Sequence, residues 1–319
     1  MQADKIVKKI IKTYVGRLDE LSFPKARHFL YRAFKATNKQ DLYRLLVKKC
    51  LPETEKRKQK ITDCYLNDYD SFLKERQKGI ENYKAVKIND QKKKEEWLRH
   101  ISLPVLSASV LRELHYARIF GLGGGVFEEV SEFVKEKGIL DELLESPDFI
   151  KYAATCATNI VYFGRNLGLF DIEKEFIKVF KKAFDKKEFI KDNVVFTNFV
   201  YGLTHIIIGD SAFYQKPLDK DKYFWVFKDF KKYGKDIFSR LSLDINVEVA
   251  LCLRFFGREN GFVKRVVERL IRNFDKEKGY IQREKRNSFS FAEHTNAVAL
   301  LLFRVAALRA PRRGRRWRK

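Results

Sequence analysis

Thr158-Asn159-Ile160-Val161 is the first of three copies of the pattern Thr-Asn-x-Val, and the others are Thr197-Asn198-Phe199-Val200 and Thr295-Asn296-Ala297-Val298. A degenerate copy, Ile245-Asn246-Val247-Glu248, falls between the last two. The four asparagines are separated by 39, 48 and 50 residues, the length of a helix pair with its loops. The spacing predicts stacked helix hairpins. The asparagines are expected to cap helix starts, because a short polar side chain accepts from a free backbone N–H.

A second repeated element is a Phe-Gly pair at the end of an apolar segment, found at Phe120-Gly121, Phe163-Gly164 and Phe256-Gly257. Glycine in this place lets the backbone turn left-handed and ends a helix. Strand-like alternation is nearly absent, and the chain holds only six prolines and 16 glycines. The sequence therefore predicts an all-α protein of repeated helix hairpins. The repeat period alone leaves open whether they close into a ring or form an open α-solenoid.

The net charge of +24 lies mainly at the two ends of the chain. Residues 1–52 hold thirteen basic and four acidic side chains, and residues 304–319 hold eight basic and none acidic. We predict four segments. They are a basic N-terminal helical segment (1–52), a charged helical hairpin or linker (53–109), the hairpin repeat body (110–305) and a disordered basic tail (306–319). The arginine-rich tail is a candidate for binding nucleic acid with salt-dependent affinity.

The cysteines and the apolar runs predict the compartment. Cys50, Cys64, Cys156 and Cys252 form no Cys-x-x-Cys pair, and no apolar leader segment stands at the N-terminus. We interpret them as reduced thiols of a cytoplasmic protein. The longest uncharged run, residues 193–209, is too short and too polar to span a bilayer, so no membrane partner is expected.

Polar residues that interrupt the apolar repeat are the candidate site residues. Glu248 stands where the other copies have Val161, Val200 and Val298, and a buried acid is costly unless it is paired or binds a ligand. Asp244 and Cys252 lie four residues before and after Glu248, so a helix would place all three on the same face. With the polar residues of the other apolar helices, the candidates are Asp244, Glu248, Cys252, His205, Glu293 and His294.

Two kinds of chemistry fit these residues. The first is a metal site formed by Glu248, Cys252 and His294, because zinc takes mixed oxygen, sulfur and nitrogen donors. The second is acid/base catalysis without a metal, in which Asp244, Glu248 and Glu293 supply carboxylates and His205 or His294 assists. The same residues also fit a purely structural role. Glu248 would then pair with a basic residue such as Arg254, and Cys252 would act as a small apolar residue.

The repeat body resembles the α/α-toroid superfamily, which includes terpenoid cyclases, protein prenyltransferase β subunits, lanthionine cyclases and several sugar-processing enzymes. The sequence at residues 201–208, 244–248 and 293–296 also resembles an uncharacterised bacterial family assigned to that fold. The resemblance covers residues 110–305. It implies that the hairpins close into an α/α toroid, with a site at the mouth of the ring.

The lanthionine cyclases offer a closer comparison of ligands. Their zinc is held by a Cys late in one repeat and by a Cys-His pair that starts a later one. Cys252 and His294 occupy comparable places, but Glu293 stands where the second Cys would be. Residues 275–280 match the Gly-Gly loops of that group poorly, and the aspartate-rich motif of terpenoid cyclases is absent from this sequence.

Three function classes follow from the sequence. The first is an enzyme whose pocket is lined by the six candidate residues, with a small anionic molecule, a saccharide or a peptide as its substrate. The second is a helical-repeat scaffold that binds protein or peptide along a concave surface. The third is a nucleic-acid binder, in which Lys5, Lys8, Lys9 and Lys12 converge with the arginine tail on one face.

Overall fold

The computed structural model describes residues 2–61, 63, 66–68, 108–145, 147–185, 187–283 and 288–308. The predicted charged hairpin at 53–109 lies largely outside these residues, and so does the basic tail beyond residue 308. The described chain is almost entirely helical, which confirms the predicted all-α class. Within the described residues, no helix combines the length and the apolar character needed to cross a bilayer.

The elements are numbered in chain order. The helices are α1 (Gln2–Gly16), α2 (Phe23–Thr37), α3 (Gln40–Ile61), α4 (residues 108–119), α5 (Val126–Glu136), α6 (Ile139–Glu145), α7 (Pro147–Leu167), α8 (Glu173–Ala183), α9 (Asn193–Asp210), α10 (Phe224–Arg240), α11 (Leu243–Phe255), α12 (Gly261–Arg272) and α13 (Phe289–Leu308). Short 3-10 turns lie at Leu18–Glu20 and Lys187–Ile190. Strands β1 (Phe274–Asp275) and β2 (Tyr280–Ile281) pair antiparallel, with Phe274 opposite Ile281.

The chain divides into two compact units. Unit 1 contains residues 1–50 and 214–319, and unit 2 contains residues 51–213. In unit 1, α2 and α11 both pack against α13, and α10 and α12 pack against α11. The predicted N-terminal segment therefore shares a core with the last third of the chain.

Two kinds of helix alternate in unit 1. Residues 243–253 of α11 are all buried, and so is the apolar run of α13 at residues 297–302. In contrast, α12 buries only Phe262, Val263, Val266 and Leu270 and exposes most of its basic residues. A helix that is apolar on all sides must lie in the interior, whereas an amphipathic one covers it. This pattern agrees with the inner and outer helices expected of a repeated hairpin.

Unit 2 repeats the arrangement. Helix α9 is buried over most of its length and packs against α7, which also contacts the amphipathic α8. Asp192 caps α9, because its side chain accepts from the backbone N–H groups of Val194 and Val195. The 3-10 turn Lys187–Ile190 packs on the same helix.

The repeated asparagines are not helix caps, and that prediction is wrong. All four lie inside helices, and two of them bind the segment that precedes their helix. Asn246 donates to the carbonyl of Leu241 at 3.0 Å. Asn296 both accepts from the backbone N–H of Ile281 at 2.8 Å and donates to its carbonyl at 2.9 Å. In these two copies the asparagine holds the preceding segment against a buried helix and satisfies backbone groups that water cannot reach.

The prediction that a Phe-Gly pair ends a helix is confirmed at two of the three pairs and wrong at the third. Gly121 and Gly257 end their helices with φ of 74° and 81°. Gly164 instead lies inside α7, and a Cβ there would fall within 2.8 Å of three ring atoms of Phe170. Gly168, with φ of 75°, makes the left-handed turn in its place. A glycine in this motif serves either a turn or a close approach of a ring, and the sequence alone does not separate the two.

The basic N-terminal helix forms as predicted. Ile6, Val7, Ile10 and Tyr14 of α1 face the core. The four lysines of α1 are exposed, while the arginine tail lies outside the described residues. Convergence of the two on one surface therefore stays a prediction.

Candidate active site

Two histidines on neighbouring helices of unit 1 stack against each other. His28 comes from the middle of α2 and His294 from the second turn of α13. Their ring centroids are 5.1 Å apart and the planes are inclined by 22°. The packing of α2 against α13 brings them together, across 266 residues of sequence.

Each imidazole contacts a buried carboxylate through its Nδ1 atom. His28 Nδ1 lies 2.7 Å from Glu293 Oε1, and His294 Nδ1 lies 2.9 Å from Asp244 Oδ1. A carboxylate at one ring nitrogen fixes the orientation of the ring and favours its protonated form. The two carboxylate–imidazole pairs are therefore held at defined angles to each other.

Asp244 sits in the first turn of α11, where the helix dipole favours a negative charge. The Thr295 hydroxyl donates to Oδ1 at 2.7 Å, and Arg283 Nη1 lies 3.6 Å from Oδ2. Burial on its own would raise the pKa of this carboxyl. The charge and hydrogen bond of His294, together with Arg283 and Thr295, outweigh burial and hold the pKa well below its usual range. Asp244 is therefore a carboxylate at neutral pH.

Glu248 lies one turn further along α11, on the same face. Its Oε1 is 3.4 Å from His294 Nε2, so His294 stands between two carboxylates. Burial alone would lower the pKa of His294. The charge and hydrogen bond of Asp244 and the charge of Glu248 outweigh burial and raise the pKa to about 9. His294 is therefore an imidazolium at neutral pH. Two of the three residues predicted to share one face of α11, Asp244 and Glu248, are thus carboxylates that keep the His294 imidazole charged.

Glu293 behaves differently from the other two acids. Burial raises its pKa to about 7, against the opposing charges of His294, Arg32 and Lys25. The nearby charge of Asp244 adds to the increase. Glu293 therefore gains or loses a proton near neutral pH, while Asp244 and His294 keep their charges.

The cluster is layered. The carboxylate side chains lie at the back, where Glu248 is 2% exposed and Asp244 is 9% exposed. The imidazoles lie in front of them, His28 with 20% and His294 with 32% of the side chain exposed. A molecule that approaches the cluster meets nitrogen atoms first and meets the acids only through them.

Arg32 and Tyr214 extend the cluster on one side. Arg32 follows His28 by one turn of α2, and its Nη2 lies 3.5 Å from the hydroxyl of the buried Tyr214. The guanidinium carbon is 5.4 Å from the centre of the Tyr214 ring. Burial raises the pKa of Tyr214 to about 12, so the phenol is neutral at neutral pH.

Four of the six predicted site residues meet in this cluster, and they are Asp244, Glu248, Glu293 and His294. Cys252 is fully buried two turns beyond Asp244, where burial and the charge of Glu248 raise the pKa of its thiol well above the usual value. His205 belongs to unit 2, where its Nδ1 lies 2.9 Å from Asn159 Oδ1. Among the described residues, no three His, Cys, Asp or Glu side chains are arranged to hold a metal ion. The zinc site stays a prediction.

Sequence reasoning missed five members of the cluster, which are His28, Arg32, Tyr214, Arg283 and Thr295. A signal existed for the first two. His28 is one of only five histidines, and it precedes Arg32 by four residues, so a helix there would place both on one face. We interpreted that segment only by its net charge. Tyr214 and Arg283 come from loops whose course the repeat pattern does not specify.

Comparison with known proteins gives a family but no relative of known activity. Neither the curated proteins nor the solved structures yielded a match. A protein-family model, by contrast, matches residues 3–315, nearly the whole length of the chain. On that match, the chain belongs to the family described as a domain of unknown function (DUF3541).

Proposed function

We propose that the cluster is the active site of an enzyme that moves protons to and from a bound substrate. One observation carries the proposal: two stacked imidazoles, each with its Nδ1 on a buried carboxylate, stand at the accessible side of the same cluster. Paired carboxylates and histidines with separated proton affinities are the usual equipment of general acid/base catalysis.

The His28–Glu293 pair is the proton carrier in this proposal. General acid/base catalysis is most efficient when the pKa of the group lies near the working pH, because both protonation states are then populated. The pKa of Glu293, raised to about 7, meets that condition. His28 stands between Glu293 and the surface, so it relays the proton between the buried acid and a substrate.

His294 has a complementary role. Asp244 and Glu248 keep its ring positively charged and hold it in a fixed orientation. A fixed positive charge stabilises negative charge that develops when a substrate loses a proton. The reaction class that fits is proton abstraction next to a carbonyl or carboxylate group, with His28 as the base and His294 as the stabilising cation.

Two finer predictions belong with this proposal. The first is closure of the hairpins into an α/α toroid, which the alternation of buried and amphipathic helices supports in each unit. The second is the cytoplasmic location, which Cys50, Cys156 and Cys252 favour because none of the three is in a disulfide. A crystal structure tests the first, and fractionation of cells that express the chain tests the second.

Solvent deuterium tests the enzyme proposal without a known substrate. The purified chain is incubated with a mixture of metabolites in heavy water, and mass spectrometry follows deuterium incorporation into carbon positions. We expect incorporation with the unsubstituted chain and with Glu268→Gln, a matched change of an exposed acid on α12. Incorporation is expected to fall by about two orders of magnitude in Glu293→Gln.

Two outcomes contradict the proposal. One is equal incorporation by the chain and by Glu293→Gln, which would assign the exchange to another site. The other is no incorporation above a heated control from any carbonyl or carboxylate compound in the mixture. Elemental mass spectrometry of the same samples, repeated on Cys252→Ala and His294→Ala, tests the zinc prediction separately. Near-stoichiometric zinc that both changes remove would move the proposal to metal-dependent catalysis.

A further inference from the structure

Tyr214 is the last of three consecutive residues with a left-handed backbone. The φ angles of Ala212, Phe213 and Tyr214 are 48°, 55° and 73°. None of the three is glycine, and a left-handed backbone is unfavourable for any residue that carries a Cβ. Three in a row persist only where the surrounding structure requires the chain to follow that course. Backbone strain of this kind is concentrated at functional sites, so the contacts of the Tyr214 side chain are of interest.

The Tyr214 phenol contacts the guanidinium of Arg32 in two ways. Its hydroxyl lies 3.5 Å from Arg32 Nη2, and its ring centre lies 5.4 Å from the guanidinium carbon. Tyr214 is 5% exposed, and Phe255 stacks on it at 6.2 Å, so the phenol is itself fixed. A neutral phenol orients a guanidinium without cancelling its charge.

Arg32 stands beside the proposed catalytic pair. It lies one helical turn from His28 on the same face of α2. Its charge acts on the cluster, since it lowers the pKa of both Glu293 and His294. Arg32 is half-buried, as His28 and His294 are, whereas the acids behind them are buried. The accessible layer of the cluster is therefore basic.

We propose that Arg32, oriented by Tyr214, binds a carboxylate or phosphate group of the substrate beside His28 and His294. The planar guanidinium presents parallel N–H groups that match the two oxygens of such a group. This inference rests on the proposed function, because it names the substrate class of the same site. Arg32 is the binding residue in it, and Tyr214 is a positioning residue that acts through Arg32.

Inorganic phosphate and malonate are suitable probes for this site. Their binding is followed by NMR of the imidazole resonances of His28 and His294, with sodium chloride at equal ionic strength as the reference. We expect at least one probe to shift both resonances at millimolar concentration, where chloride does not. Stronger binding of phosphate than of malonate would assign a phosphate-bearing substrate, and the reverse order a carboxylic acid.

Substitutions separate the two roles. Arg32→Lys keeps the charge and removes the paired N–H donors of the guanidinium. We expect it to weaken probe binding about tenfold. Arg272→Lys on α12 is the matched control and should have no effect. Tyr214→Phe is expected to weaken binding about threefold. In an Arg32→Gln background the Tyr214→Phe change should have no further effect, because a positioning residue acts only through its partner.

Three results would overturn the inference. The first is a shift of the imidazole resonances with chloride that equals the shift with both probes. The second is an Arg32→Lys variant that binds as tightly as the unsubstituted chain, and the third is additive effects of the Tyr214 and Arg32 changes. Thermal unfolding of each variant shows that it is folded before it is titrated. Deuterium exchange that depends on Glu293 without probe binding contradicts this inference alone. Probe binding without exchange supports an oxyanion site and contradicts the proposed chemistry.

Discussion

Each unit of the molecule contains a histidine whose Nδ1 lies 2.9 Å from a side-chain oxygen on a neighbouring buried helix. In unit 1 the pair is His294 with Asp244, and in unit 2 it is His205 with Asn159. The geometry is the same, but one oxygen belongs to a carboxylate and the other to an amide. The comparison indicates that a charged acceptor separates a site that holds an imidazolium from a contact between an imidazole and an amide.

The buried ions of the two units differ in a second way. In unit 2, Arg165 bridges the carboxylates of Glu173 and Asp210, and the Tyr162 hydroxyl donates to Glu173 at 3.0 Å. Arginine keeps its charge at all relevant pH values, so this network does not change state. The cluster in unit 1 is built around histidines and an acid whose pKa is about 7, so it changes protonation under physiological conditions. The first network suits a structural role, and the second suits chemistry.

The largest effect should come from breaking the network of unit 2. Arg165→Leu leaves two buried carboxylates without their cation, and we expect it to lower the free energy of unfolding by about 3–5 kcal/mol. Arg57→Leu is the matched control, because Arg57 and its partner Glu53 are 35% and 42% exposed. It should cost about 1 kcal/mol or less. Urea denaturation measures both, and equal losses would contradict the structural assignment of Arg165.

The next effect is a pH dependence that belongs to unit 1. Because the pKa of Glu293 is raised by folding from 4.5 to about 7, the folded state favours its protonated form. The stability of the chain relative to Glu293→Gln should therefore be greatest below pH 4.5 and fall as the pH rises through 7. The total change should be roughly 3 kcal/mol at most. Urea denaturation at pH 4, 6 and 8 measures it, and a constant difference would contradict the raised pKa.

Exchange of the two acceptor residues tests the comparison directly. Asp244→Asn keeps an oxygen acceptor for His294 and removes the charge, so the pKa of His294 should fall from about 9 by about one to two units. The reciprocal change, Asn159→Asp, should favour the protonated form of His205. NMR titration of the imidazole nitrogens measures both. An unchanged His294 titration in Asp244→Asn would show that charge is not the deciding difference.

The smallest effects concern a feature that the units share, the repeated asparagine. Asn296→Ala leaves the buried N–H of Ile281 without its acceptor, and it should cost about 1–3 kcal/mol. Asn198 only donates to the carbonyl of Val194, one turn earlier in its own helix, so Asn198→Ala should cost about 0.5 kcal/mol. Thermal unfolding of the two variants measures the order. Equal costs would mean that the repeat motif acts through helix propensity and not through the contact with the preceding segment.

Several residues of the site could be identified from the sequence. Glu248 stood out because it replaces a valine in an apolar helix, and Asp244 and His294 followed from their spacing along α11 and at the repeat asparagine. Cys252 and His205 met the same criterion, yet one is a buried thiol and the other lies in unit 2. A polar residue in an apolar run shows that some partner exists, but the run does not identify that partner.

The helical class, the alternation of buried and amphipathic helices and the identity of the unusual acids can be deduced from the sequence alone. These follow from periodicity and from the cost of burying charge, which are local properties of the chain. The packing of α2 along α13, which brings His28 to His294 and Glu293, is visible only in the folded molecule. The pKa values follow from that packing, because they depend on burial and on charges that come from distant parts of the chain.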